Sequence, residues 1–69
     1  MHWNDYQDVT ITTNGKEHQG RYRTDRAKAR GIEVSYGSAV KYTLLHASSP
    51  ETLARIMLRE LVEEQERRS

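Results

Sequence analysis

The chain lacks cysteine and phenylalanine altogether and has one proline and one tryptophan. Without cysteine there is no disulfide and no thiolate zinc site, two of the usual supports of a small fold. His2, His18 and His46 lie far apart and form no ligand pair at helical or zinc-finger spacing, so no metal and no cofactor is expected. No apolar run approaches a membrane span. The opening MHWNDYQD has neither a basic start nor an apolar stretch, which argues against a secretory signal. Together with the missing cysteine, this fits the cytoplasm, which is the expected location.

Catalytic signatures are missing too. Ser35, Ser38, Ser48 and Ser49 have no histidine at triad spacing and sit in no G-x-S-x-G elbow. There is no phosphate-cradling G-x-x-x-x-G-K-[ST] loop and no G-x-G-x-x-G fingerprint. Only His18 and His46 have positions suited to acid–base work, and packing or capping accounts for both. The expected class is therefore a non-enzymatic one. A ligand pocket around His18 and Tyr22, working only within a complex, is the weakest alternative.

Sixty-nine residues suffice for one small domain. Residues 1–7 read as a tail whose Trp3 docks on apolar surface. Residues 8–66 read as a single ββββα domain, and 67–69 as a C-terminal tail. Val9 and Ile11 alternate with Thr10 and Thr12, the pattern of a half-buried strand. Asn14–Gly15 follows, the sequence best suited to the two positive-φ positions of a type I′ hairpin turn. That turn sets Ile11 opposite His18 and Val9 opposite Gly20. Val9, Ile11, His18, Gly20 and Tyr22 then share an inner face, with Arg21 and Arg23 on the outer one.

Thr24–Gly31 breaks the alternation and reads as a loop or a single helical turn. Ile32, Val34 and Tyr36 resume period two, as do Val40, Tyr42 and Leu44 after Gly37-Ser38-Ala39. If one face holds all the apolar residues, the loop has three residues and Tyr36 opposes Val40. Tyr22, Tyr36 and Tyr42 then all point inward, leaving the outer face without an aromatic. The expected fold is α+β: a four-stranded antiparallel meander (8–13, 16–24, 32–36, 40–46) with one helix over 50–66 packed on one face.

The helix has its own start signals. Ser49 as N-cap puts Pro50 at the first helical position; alternatively, Ser48 and Glu51 make a capping box. Leu53, Ala54, Met57, Leu58 and Leu61 form the sheet-facing stripe. Ile56 and Val62 flank it, widening the apolar arc to roughly 240°, beyond what covering a sheet requires. Leu45 has outward parity on the last strand. Ile56, Val62 and Leu45 are thus candidate contacts for a protein partner or a second copy, unless sheet curvature and Trp3 cover them.

Charge supplies the other candidate. The net charge is only +1, but residues 16–30 carry six cations against Glu17 and Asp25, a local +4. Arg21, Arg23, Arg26, Lys28 and Arg30 form a candidate phosphate-binding patch for a nucleic acid. An outer face without aromatics offers single-stranded bases nothing to stack on, and Glu17 and Glu33 stand ready to pair with Arg21 and Arg23. Protein association is the first expectation and nucleic-acid binding the alternative.

Overall fold

The computed structural model describes residues 3–25, 31–45 and 49–68. Strands β1 (Gln7–Thr13), β2 (Lys16–Thr24), β3 (Gly31–Tyr36) and β4 (Ala39–Leu44) precede one helix, α1 (Pro50–Arg68). The strands form a single antiparallel sheet in chain order, β1-β2-β3-β4, with α1 on one face. This is the expected α+β meander.

The first hairpin has the register its turn chemistry demands. Ile11 opposes His18, and Val9 opposes Gly20. Asn14 and Gly15 both have positive φ, 51° and 77°, as a type I′ turn requires.

The second hairpin departs from expectation. Its loop has two residues, not three: Tyr36 opposes Ala39, Ser35 opposes Val40 and Glu33 opposes Tyr42. Gly37 has φ +60° while Ser38 does not have positive φ, the type II′ arrangement that takes glycine first. Turn chemistry therefore prevails over the apolar alternation, and the one-residue difference reverses every side chain of β4. Val40, Tyr42 and Leu44 face away from the helix and are 60%, 53% and 48% exposed. In their place Lys41 turns toward the helix. Its ammonium reaches Glu60 at 3.3 Å and Glu64 at 3.1 Å. The hydrogen bond to Glu64, then that to Glu60, raises the Lys41 pKa.

The core lies between sheet and helix. Val9, Tyr22, Ile32 and Val34 meet Ala54, Met57, Leu58, Leu61 and Val62 there. Gly20 lets the helix approach: its β-position is occupied by the Leu58 side chain and the Ser35 carbonyl. Ser49 caps α1, its Oγ accepting the Thr52 N–H at 3.2 Å, with Pro50 next in the chain. The alternative cap, Ser48, lies outside the described residues. The helix runs to Arg68, two residues past its expected end at 66. Lys41 holding Glu64, and the favourable sign of Arg67 and Arg68 at a helix C-terminus, account for the extension.

Candidate functional site

The helix flank does not supply the surface that its wheel suggests. Val62 is only 1% exposed and belongs to the core. Leu45, expected to point outward, is half-buried and packs against that core. The shorter turn reverses its parity along with that of β4, which it follows. Ile56 alone of the three is exposed, beside a small cleft of about 170 Å³ bordered by Ile11, Thr12, Thr13, Arg55 and Arg59. The structure does not bring Ile56, Val62 and Leu45 together.

The outer face of the sheet holds what the sequence reading missed. It is not free of aromatics: Tyr42 lies there, joined by Trp3 and Tyr6. Trp3 forms an isolated antiparallel bridge with Asp25, while Gln7 opposes Tyr22. The first strand thus carries one extra residue between these points, a bulge that moves Trp3 onto the same face as Tyr6. Asn4 secures the segment, its N–H donating to the Thr24 carbonyl at 2.8 Å and its side-chain amide to Thr24 Oγ1 at 2.7 Å.

Arg23 sits between the two rings. Its guanidinium carbon is 4.6 Å from the Trp3 ring centre and 4.7 Å from that of Tyr6. The same guanidinium donates to both oxygens of Glu33, at 3.1 Å and 3.3 Å. Tyr6 Oη donates to Glu33 Oε1 at 2.7 Å. That hydrogen bond, then those from Arg23, lower the Glu33 pKa against the opposing effect of its burial. Tyr42 meets Trp3 edge to face, with centroids 6.2 Å apart, and its ring lies over Gly31. Docking of Trp3 is thus present, on the face opposite the helix.

A depressed carboxylate pKa stabilises the fold above the unfolded-state value, about 4.3 for glutamate, and the contribution is lost as pH falls through the folded value. Removing the Tyr6 hydroxyl removes the leading cause. In Tyr6→Phe, the Glu33 carboxyl resonance should titrate at higher pH than in the parent chain. An unchanged midpoint in an NMR titration would show that Tyr6 does not bind Glu33 in solution.

Among the basic candidates, Arg21 and Arg23 share the outer face, but neither is uncommitted. Arg21 is exposed and lies 3.7 Å from Asp8; Arg23 is enclosed as described. Arg26, Lys28 and Arg30, and the expected Thr24–Gly31 loop or turn beyond Asp25, lie outside the described residues. The Asp25 N–H donates to the Gly31 carbonyl at 2.8 Å, which joins these two residues beside Trp3. Between Gln19–Arg21 and Ser35–Gly37 lies a polar surface notch of about 400 Å³.

No protein family, curated protein or solved structure matches the chain. Its function is therefore argued from its own surfaces.

On the inner face, the His18–Tyr22 site is partly satisfied, with His18 Nε2 buried and without a hydrogen-bond partner among the described residues. His18 Nδ1 lies 2.9 Å from the Tyr36 hydroxyl, and the Tyr22 hydroxyl donates to Gln7 at 3.0 Å. His2 and His46 lie outside the described residues. Among the described residues no His, Asp or Glu group is arranged to hold a metal ion, and no helix is long and apolar enough to cross a membrane.

What distinguishes the outer face is the row Val40, Tyr42 and Leu44 on an edge strand. A two-residue hairpin closes on a hydrogen-bonded pair, here Tyr36 and Ala39. The backbone groups of Ala39, Lys41 and Thr43 consequently point to β3, and those of Val40, Tyr42 and Leu44 point to the open edge. Among the described residues nothing pairs with that edge, so each residue of the exposed apolar row also presents an unladdered N–H and C=O. The opposite edge differs: on β1 the corresponding residues are Asp8, Thr10 and Thr12, which are polar and exposed.

Proposed function

We propose that this protein is a cytoplasmic, non-enzymatic protein-interaction module that takes an extended strand of a protein partner along β4. The observation that carries this reading is the coincidence on Val40, Tyr42 and Leu44 of exposed apolar side chains and open backbone groups. Strand addition to a sheet edge obtains affinity from main-chain hydrogen bonds and selectivity from alternate side chains. Natural edge strands are commonly protected by charge, proline or bulges. β4 has none of these on its outer row, because its one charge, Lys41, is turned inward and paired with α1. The absence of cysteine supports the cytoplasmic location.

Selection from a displayed library of random peptides tests the reading. Enriched sequences should alternate apolar and polar residues, and Tyr42→Lys should abolish their capture while the fold persists. No enrichment, or capture indifferent to Tyr42→Lys, would overturn it.

A second reading, nucleic-acid binding, has one observation in its favour. Tyr42 and Tyr6 are exposed on the outer face, where Arg21 and Arg23 also lie. Stacking on such rings combined with phosphate contacts is how open sheets hold single strands. Against it, Arg23 is engaged by Trp3, Tyr6 and Glu33. Anisotropy of labelled single-stranded RNA and DNA across a salt series decides the matter. Genuine binding weakens steeply with salt, and no binding at low salt eliminates this reading.

A further inference from the structure

We infer that the strand received by β4 is β4 of a second copy, paired antiparallel about a twofold axis through Tyr42. This inference rests on the strand-docking reading above and specifies its occupant.

The register follows from which backbone groups are open. A partner strand must bond through Val40, Tyr42 and Leu44, since Ala39, Lys41 and Thr43 are committed to β3. In a twofold arrangement, the axis passes beside one of those open residues or beside Lys41 or Thr43 between them. An axis at Lys41 sets lysine against lysine and leaves Leu44 without an open partner on β4, and one at Thr43 leaves Val40 without one. An axis at Val40 runs the partner strand into the Gly37–Ser38 turn, and one at Leu44 runs it past the end of β4. Only Tyr42 allows all the open residues to pair: Tyr42 with Tyr42, Val40 with Leu44 and Leu44 with Val40.

The side chains agree with that register. On the outer face the two apolar rows become one continuous strip, with tyrosine beside tyrosine at its centre. On the inner face Lys41 stands opposite Thr43 rather than another lysine, and it remains neutralised by its own Glu60 and Glu64. The two sheets become one, and the arrangement is closed because each copy uses the same strand. The β1 edge lacks this self-complementarity, since its row of Asp8, Thr10 and Thr12 offers no apolar strip.

Sedimentation equilibrium from micromolar to millimolar concentration, with amide exchange followed by NMR, tests the inference. The mass should rise to that of two chains. Protection should develop at the Val40, Tyr42 and Leu44 amides, and not at Asp8, Thr10 and Thr12.

Substitutions on the exposed row then test the register. Val40→Lys with Leu44→Lys sets lysine against lysine at both ends and should hold the chain at single mass. Val40→Lys with Leu44→Glu sets lysine against glutamate at both ends and should restore a dimer that salt weakens. Amide spectra confirm that each variant is folded. A single-chain mass at millimolar concentration would overturn the inference, as would a dimer indifferent to the paired lysines. Failure of the lysine–glutamate pair to dimerise would reject the Tyr42 axis. Masses climbing past two chains, with protection on β1, would instead mean head-to-tail stacking and also overturn it. A chain that stays single yet captures alternating library peptides would lose only the self-pairing; failure of both experiments would remove the strand-docking reading as well.

Discussion

Val62→Asp should leave no cooperatively folded protein at 25 °C. Val62 is enclosed between α1 and the sheet, and among the described residues no buried polar or charged side chain accompanies it. An aspartate there must either bury an unpaired carboxylate or bind a proton to become neutral, and it also forfeits the apolar contact. Either course costs several kcal/mol. A domain of this length has roughly 3–10 kcal/mol in all, taking about 0.05–0.15 kcal/mol per residue.

The control is Ile56→Asp on the other flank of the same helix, 50% exposed. It should change stability by about 0.5 kcal/mol or less, as surface substitutions usually do. Thermal denaturation followed by circular dichroism separates the two. A Val62→Asp chain melting like the parent would mean that α1 is rotated about its axis and Val62 faces outward.

Gly20→Ala should also be strongly destabilising, by about 2–3 kcal/mol. A methyl group at this position would stand 2.7 Å from the Ser35 carbonyl oxygen and 2.9 Å from Leu58 Cδ1. The leucine can turn, but the carbonyl is part of β3 and cannot move without opening the sheet. The intrinsic gain of replacing glycine in a strand, about 0.5–1 kcal/mol, offsets only part of this. For a domain of 60–100 residues, each kcal/mol shifts the midpoint by about 4–8 °C, so Tm should fall by roughly 10–20 °C.

Gly31→Ala provides the contrast. Its methyl group would meet the Tyr42 ring, a half-exposed side chain that can swing into solvent. The expected loss is small in stability and specific to the Trp3–Tyr42 contact, visible as a change in tryptophan fluorescence. A Gly20→Ala chain within a few degrees of the parent would show that helix and sheet can separate at little cost.

The two hairpins show where sequence reasoning holds and where it fails. In the first, the Asn14–Gly15 turn and the alternation of Val9 and Ile11 prescribe the same register, and the structure has it. In the second, the two signals conflict. Gly37–Ser38 asks for a two-residue turn, whereas burying Val40, Tyr42 and Leu44 asks for three. The apolar rule assumes that only one face of a sheet can hold apolar residues. Here the N-terminal segment crosses the other face and gives Tyr42 a neighbour in Trp3. That coverage comes from residues distant in sequence and has no periodicity to announce it. The glycine of the turn was the local signal that pointed to the correct parity.

The helix shows the same division. Its cap, its stripe and its approximate length follow from Ser49, Pro50 and the spacing of apolar residues, all local properties. Which flank of the stripe is buried depends on the angle at which α1 crosses the sheet. The seating of α1 on the sheet buries Val62 and exposes Ile56, although the wheel makes both surplus. The sequence by itself determined four strands, one helix and their order, because turns, caps and periodicity act over a few residues. The face on which β4 displays its side chains, the flank that α1 hides and the enclosure of Arg23 were decided only by tertiary structure. Each depends on contacts between segments that the chain brings together only when folded, and the candidate site on β4 is the product of that decision.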